Sequence, residues 1–293
     1  MYGYNGKILR VNLTDGSWKT EELDLEMAKK FIGGRGLGTK MMMDEVDPKV
    51  DPLSPENKLF VVTGPMTGNP VATGGRYMVV TKSPLSNTIA SSNSGGKWGA
   101  ELKFSGWDII AFEGKSEEPV YLSIDDDKVE LLSAADLWGT TVSNTTKKLE
   151  EKHADGCKVL AIGPGGENLS HIAAIMNDED RAAGRSGVGA VMGSKNLKAI
   201  VVKGSGKPDV PDQDRIKELN KKQLAKIKEN GVTGEGLPTY GTAVLVNILN
   251  ELGSLPTNNF QKAHFDKAEE ISGETLADKY LIKRTACYRC PIG

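Results

Sequence analysis

The sequence predicts an α+β chain. Two related halves of strands and short helices form a pseudo-two-fold amino-terminal domain over residues 1–208, and a helical domain begins over residues 209–293. Three observations lead there. Apolar runs of strand length, such as Lys58-Leu-Phe-Val-Val62 and Ala199-Ile-Val-Val202, are separated by Gly-Pro and glycine-rich loops. One order of features occurs twice: strand, Gly-Pro, loop, Ser-Gly, Gly-Ala, strand, Gly. After Gly204 the strand-type runs stop and lysine-rich helical periodicity starts.

In chain order, Lys7-Ile-Leu-Arg-Val-Asn12 alternates as a strand does, and Thr14-Asp-Gly-Ser17 turns it into a hairpin with Trp18–Thr20. Leu25 to Ile32 reads as a short helix stopped by Gly33-Gly34. Leu37 to Val46 reads as another, with Arg35 between them an unassigned anion candidate. Asp47-Pro48 and Asp51-Pro52 break any helix. The strands Lys58–Val62 and Tyr77–Thr81 follow. Asn93-Ser-Gly-Gly96 leads as a glycine-rich turn into a helix, and Asp108–Phe112 closes the first half. Pro119–Ile124 and Lys128–Leu132 form a further hairpin. In the doubled order Gly99-Ala100 matches Gly189-Ala190, Ile110-Ala-Phe112 matches Ile200-Val-Val202, Gly64-Pro65 matches Gly163-Pro164, and Ser94-Gly95 is matched to Ser186-Gly187.

Composition excludes several classes of function. With 37 basic and 39 acidic residues in 293, there is no global electrostatic case for nucleic acid or a membrane surface. The start lacks a signal-peptide pattern and no apolar run approaches a membrane span, so a cytoplasmic location is the default expectation. Cys157 begins an apolar run and reads as a core residue.

The stretch from Asn177 to Lys198 organises the rest. Arg181 and Arg185 stand among glycines and small residues, so backbone can approach a ligand while guanidinium groups reach its anionic ends. Four residues apart, the two arginines would share a helical face with no carboxylate obliged to pair them. A dinucleotide fingerprint is rejected, because the strand-like run follows the glycines instead of preceding them. Two such loops, one with Arg76 and Asn93 and one with Arg181 and Arg185, suit a ligand with two similar anionic ends.

Past the Gly/Pro linker at Gly204–Pro211, Asp212 or Asp214 caps a helix ending at Asn230-Gly231. Thr242–Leu249 reads as a second, more buried helix, and Gly273–Leu281 as a third. Cys287-Tyr-Arg-Cys290 has three readings: half a zinc site, a redox dithiol, or part of an iron-sulfur ligand set. His153, His171 and His264 are isolated and read as surface or packing residues.

With these residues laid out, the chain resembles the tungsten-containing aldehyde ferredoxin oxidoreductase family over essentially its whole length. The resemblance rests on Asp51-Pro-Leu-Ser-Pro-Glu-Asn-Lys58, Thr73-Gly-Gly-Arg76, Asn93-Ser-Gly-Gly96, Gly99-Ala-Glu-Leu-Lys-Phe104, Arg181-Ala-Ala-Gly-Arg185, the run Gly187–Lys198, and Cys287-x-x-Cys290-Pro-Ile-Gly293. It implies a base of two related β-sheets on which two pterin cofactors hold tungsten or molybdenum, their phosphates bridged by magnesium. On that resemblance Arg76, Asn93 and Gly95 would contact one pterin side, and Arg181, Ala182, Gly184 and Arg185 the other. Asn93 and the carbonyl of Ala182 would ligate magnesium.

The same resemblance makes Cys287 and Cys290 two ligands of a [4Fe-4S] cluster. The cluster would pass electrons from an aldehyde substrate to ferredoxin or another iron-sulfur carrier, with a homodimer of the full-length protein an open arrangement. No residue of the chain is assigned an acid-base role. Family members run to roughly twice this length, and the next cluster cysteine would fall just past Gly293. The chain is therefore expected to be an amino-terminal fragment, inactive alone; the alternative expectations are a non-catalytic pterin-binding scaffold, or a member that reduces aromatic rings or acts on sugar-derived aldehydes.

Overall fold

The computed structural model describes residues 1–292 and divides the chain into two compact units. Met1–Asn69 with Gly74–Pro211 make the first, and Pro70–Thr73 with Asp212 onward make the second.

The first sheet of unit one contains β1 (Lys7–Asn12), β2 (Ser17–Glu22), β3 (Leu59–Val62), β4 (Tyr77–Lys82), β5 (Ile89–Ser94) and β6 (Ile109–Glu113). It is accompanied by α1 (Leu25–Phe31), α2 (Gly34–Glu45) and α3 (Trp98–Phe104). The second sheet contains β7 (Val120–Asp125), β8 (Lys128–Ser133), β9 (Lys158–Ala161), β10 (Ile175–Asn177), β11 (Arg181–Ala183) and β12 (Leu197–Lys203), with α4 (Val142–Lys152), α5 (Pro164–Glu167) and α6 (Val188–Ser194). Strand order is β2-β1-β6-β3-β4-β5 in one sheet and, read from the matching edge, β8-β7-β12-β9-β10-β11 in the other. In each, the first strand runs parallel to the last (β1 with β6, β7 with β12), and every other pairing is antiparallel. The architecture is two related mixed sheets with short helices, α+β as the doubled sequence order predicts.

Register makes the equivalence residue-specific. Val61 pairs with Ile110 in the first sheet, and Leu160 pairs with Ile200 in the second. Met78 faces Asn93 across β4 and β5, while Met176 faces Ala182 across β10 and β11. Asn93 and Ala182 are therefore counterparts, as are Gly95 and Gly184. This replaces the sequence match of Ser94-Gly95 with Ser186-Gly187, because the strand pairing counts residues through a loop that differs in length between the halves.

The sheets enclose α3 and α6 between them. Val61, Val79, Ile110 and Phe112 of the first sheet share one core with Leu122, Leu160, Ile200 and Val202 of the second, filled by Trp98, Leu102, Val188 and Met192. Trp98 is fully buried and its indole N–H donates to Ile200 O (3.1 Å), which satisfies its one polar atom. On the outer faces, Leu37, Met41 and Met42 of α2 pack on Phe60, Val62 and Val80, and Leu149 of α4 packs beside Val159 and Val201. Burial of each such side chain stabilises the fold by about 1.5–3 kcal/mol before entropy is counted. Cys157 sits in this last cluster, where burial pushes its thiol pKa up.

Several sequence expectations are corrected. Gly33 does separate two helices, but the second begins at Gly34 and not at Leu37, with Gly33 at the cap position and no side-chain cap. Arg181 and Arg185 share no helical face: Arg181 opens strand β11 and Arg185 lies in the turn before α6. Strand β5 and helix α4 went unread because their residues are mostly polar, and β10 and β11 because each is only three residues long. The Gly204–Pro211 linker is held against unit one. Gly204 N donates to Glu101 Oε1 (3.0 Å), Gly206 N to Phe104 O (2.9 Å), and Asp209 O accepts from Gly3 N (3.0 Å).

In unit two, α7 (Gln213–Glu229) is capped by Asp212, whose carboxylate accepts from Arg215 N (2.8 Å). Then come α8 (Leu237–Tyr240), α9 (Leu245–Glu251) and α10 (Gly273–Lys279). The second helix was expected to be the more buried one. Instead Gly241–Val244 is a 3₁₀ turn leading into α9, and neither has a buried residue.

Lys195, at the end of α6, fastens the halves together. Its fully buried ammonium donates to the carbonyls of Asn57, Pro55 (3.3 Å) and Gly114 (2.9 Å), all from the first half. Burial pushes its pKa down to about 8, whereas the unfolded chain holds that proton to the ordinary lysine value near 10.5. Between those values the unfolded state binds more protons, so this lysine makes stability rise as pH climbs from 8 toward 10.5. In guanidinium titrations across that range, Lys195→Met is expected to flatten the rise relative to wild type. Parallel curves for the two proteins would rule the linkage out.

Candidate functional site

β5 and β11 are the edge strands at matching ends of the two sheets; β5 carries Asn93 and β11 carries Arg181 and Ala182, while Arg76 directly precedes β4 and Gly184 and Arg185 follow β11. Ser92 of β5 accepts from the backbone N of Arg185 (3.0 Å), and Ser83 Oγ donates to Ser186 O (2.8 Å). The two edges are thus tied beside each other.

A second tie runs through Asn177 at the end of β10. Its buried Nδ2 donates to Tyr77 Oη (2.8 Å) and Ser94 Oγ (2.7 Å) in the first half. Burial pushes the Tyr77 hydroxyl pKa up, so it stays a neutral partner. Asp178 accepts from the backbone N of Lys97, and burial pushes its carboxyl pKa upward. Gly96, at φ +83°, makes room for this contact: a Cβ there would fall 2.0 Å from Asn177 Oδ1. That oxygen is buried and has no hydrogen-bond partner among the described residues.

Of the expected binding residues, the structure brings Arg76 and Asn93 together. Arg76 Nη1 donates to Asn93 Oδ1 at 2.6 Å. Both line a cavity of about 330 Å³ whose other walls include Gly33, Gly34, Arg35, Gly64 and Met78. Gly33 packs directly on the Gly64 backbone, where a Cβ would sit 2.8 Å from Gly64 Cα, and Ile32, Pro65, Met66, Thr67 and Tyr77 complete the lining. Asn93 Nδ2 rests on Tyr77 O (3.3 Å) and Met78 Sδ (3.4 Å).

Arg181, Ala182, Gly184 and Arg185 do not line that cavity. Ala182, Gly184 and Arg185 are exposed, and Arg181 Nη1 pairs with Asp180 Oδ2 (2.7 Å), a carboxylate the sequence reading had not counted against it. The pair is partly exposed and worth little, so an anionic ligand can compete for the guanidinium. The second half offers no arginine at the register counterpart of Arg76, which is Ala174. Gly95 is buried directly beyond β5.

These residues fit a phosphate-bearing group: guanidinium donors, an oriented carboxamide, and glycine backbone that allows close approach. Sequence reasoning left Arg35 without a partner and missed Ser91 and Ser92, which carry no signal beyond lying in a polar edge strand.

In unit two, Ala72 N donates to Asn220 Oδ1 (3.0 Å) and Thr73 N to Arg289 O (3.0 Å), which holds Pro70–Thr73 against the cysteine loop. Cys290 N donates to Cys287 O (3.0 Å), so both thiols leave one tight turn, and Cys290 Sγ lies 3.1 Å from Ile292 O. Among the described residues no three His, Cys, Asp or Glu side chains gather into a group that would hold a metal ion. No described helix is long and apolar enough to cross a membrane.

Comparison with known proteins agrees along the whole chain. The family profile described as aldehyde ferredoxin oxidoreductase, N-terminal domain, matches residues 8–204, and that for domains 2 and 3 matches residues 218–293. The chain is 56% identical to a tungsten-containing aldehyde ferredoxin oxidoreductase of Pyrococcus abyssi, covering 100% of this chain and 48% of the relative. It is 40% identical to the WOR-like subunit of an aliphatic sulfonate oxidoreductase of Pyrococcus furiosus, covering 100% of this chain and 49% of that one. The active-site complex BamBC of benzoyl coenzyme A reductase, solved with 1,5-dienoyl-CoA, superposes with a TM-score of 0.86 at 32% identity, covering 99% of this chain and 46% of that one. The chain spans about half the length of the curated relatives it matches. With a two-sheet unit of this topology and both profiles matched, the chain belongs to the aldehyde ferredoxin oxidoreductase family.

Proposed function

We propose that the chain is the cofactor-binding part of a tungsten bis-pterin oxidoreductase that converts aldehydes to carboxylates. Residues 1–208 serve as the base for the cofactor, and residues 209–293 begin the helical domain. The bound metal would supply the two-electron oxidation of the aldehyde, with a [4Fe-4S] cluster passing the electrons on singly to ferredoxin. Everything this chain adds is binding and orientation.

Arg76 grips a phosphate of one pterin, and its bond to Asn93 aims the guanidinium along the edge strand. Asn93 Oδ1 and the Ala182 carbonyl, counterparts in the doubled fold, would be this chain's ligands to a magnesium ion. Arg181 and Arg185 meet the second pterin, with Gly95 and Gly184 letting backbone come close on either side. Cys287 and Cys290 provide two thiolates to the cluster.

The observation that carries this reading is the Arg76–Asn93 pair lining one cavity with Gly33, Gly34 and Gly64, in a chain 56% identical throughout to a tungsten-containing relative. Aldehyde oxidation is preferred to sulfonate or ring chemistry because the relatives named for those reactions are 40% and 32% identical.

The test is tungsten and pterin content, together with aldehyde-dependent ferredoxin reduction, in the gene product expressed in full with tungstate supplied. Arg76→Leu removes charge-assisted hydrogen bonds to phosphate and should lower cofactor content on the order of tenfold, with the unfolding midpoint unchanged. Wild-type content in that variant would refute the assignment.

A further inference from the structure

We propose that Arg35 is a second phosphate-gripping side chain, working with Arg76 on one phosphate dianion of the cofactor. The inference rests on the cofactor reading above and assigns a residue to the same cavity. Arg35 follows Gly33-Gly34 in the first turn of α2 and lines the cavity together with Arg76. Its Nε donates to Ser91 Oγ (3.1 Å), just as Arg76 Nη1 donates to Asn93 Oδ1 (2.6 Å).

Ser91 and Asn93 stand two apart on β5, so their side chains leave the same face of the strand about 7 Å from one another. The edge strand thereby holds two guanidinium groups side by side. Each spends one N–H on its anchor out of the five a guanidinium carries, and neither has a carboxylate partner among the described residues. Two adjacent forks with donors to spare, beside the backbone of Gly33, Gly34 and Gly64, match a tetrahedral dianion better than a single-charge or neutral ligand.

Geometry at Gly33 and Gly34 supports the assignment. Gly34 takes φ +47°, and Gly34 N is tied to Thr63 O (2.8 Å), which fixes where the helix begins and therefore where Arg35 projects. The helix start also brings its partial positive charge to the same wall.

The test uses the gene product expressed in full with tungstate, comparing wild type with Arg35→Leu, Arg35→Lys, Ser91→Ala and Arg76→Leu. Tungsten is read by mass spectrometry and pterin by the fluorescence of its oxidised form. Arg35→Leu should retain on the order of one tenth of the cofactor, Ser91→Ala should lose severalfold less, and Arg35→Lys should recover part of the loss, all with the wild-type circular dichroism spectrum. Full cofactor in Arg35→Leu beside a depleted Arg76→Leu would overturn this inference alone. Full cofactor in both would overturn the cofactor reading with it. A parallel measurement on cofactor-free protein follows the ³¹P line width of inorganic phosphate. Broadening that Arg35→Leu abolishes supports the site when cofactor content also falls. Broadening abolished with cofactor content unchanged would assign Arg35 to free phosphate and overturn the proposal.

Discussion

Lys103→Met is expected to destabilise unit one by about 3–5 kcal/mol, the range for removing one partner of a buried ion pair. Lys103 of α3 is fully buried, and its ammonium pairs with the equally buried Asp108 carboxylate and donates to Gly3 O (2.7 Å). Burial alone would push the lysine pKa down, and the Asp108 charge opposes that shift. Asp108 also accepts from Gly6 N through Oδ2 (2.7 Å), so the pair stitches the chain start to the α3–β6 turn. Methionine keeps the stem's packing and removes the charge, leaving the carboxylate alone in a low-dielectric interior. Guanidinium unfolding with an unchanged slope and a lowered midpoint reads the loss. A loss under about 1 kcal/mol would mean that water reaches Asp108 and the pair is not buried as described.

Gly96→Ala should cost on the order of 2–3 kcal/mol and loosen the joint between the halves. At φ +83° an alanine carries the left-handed penalty of about 1–2 kcal/mol. Its Cβ would also fall 2.0 Å from Asn177 Oδ1 and 2.7 Å from Asp178 Oδ2. Relief requires Asn177 to swing away, which gives up its bonds to Tyr77 and Ser94, each worth about 0.5–1.5 kcal/mol net. Because Ser94 ends the strand that carries Asn93, cofactor content should fall along with the midpoint. A variant that unfolds at the wild-type midpoint would show that the Asn177 tie carries no load.

The site was legible in proportion to how much of it depends on local backbone. Arg76, Asn93 and the Arg181–Arg185 stretch stand out because arginines among glycines are conspicuous whatever the fold. Their grouping was not legible. Residues 89–92 received no element from sequence and Asn93–Gly96 was read as a turn, yet Ile89–Ser94 is an edge strand held by main-chain bonds to β4, whose order needs no apolar alternation. Arg181–Ala183 is three residues long and lies in charged sequence, below the reach of any periodicity. For the same reason Arg181 and Arg185 looked like neighbours on a helix, a spacing argument that fails when the backbone is extended.

By itself the sequence determined the longer apolar strands of the core and the doubling of its halves. Buried runs such as Leu59–Val62 and Leu197–Lys203, and the glycines at 99 and 189, repeat in a linear order that chain composition alone displays. Tertiary structure decided which residues correspond and which meet. Cross-strand register aligned Asn93 with Ala182, and packing of α2 on the first sheet carried Arg35 to Ser91 beside Arg76. The physical reason is one of range: burial patterns are written within a few residues of chain, whereas a binding cavity is made by hydrogen bonds between residues 56 and 17 positions apart, which no local pattern encodes.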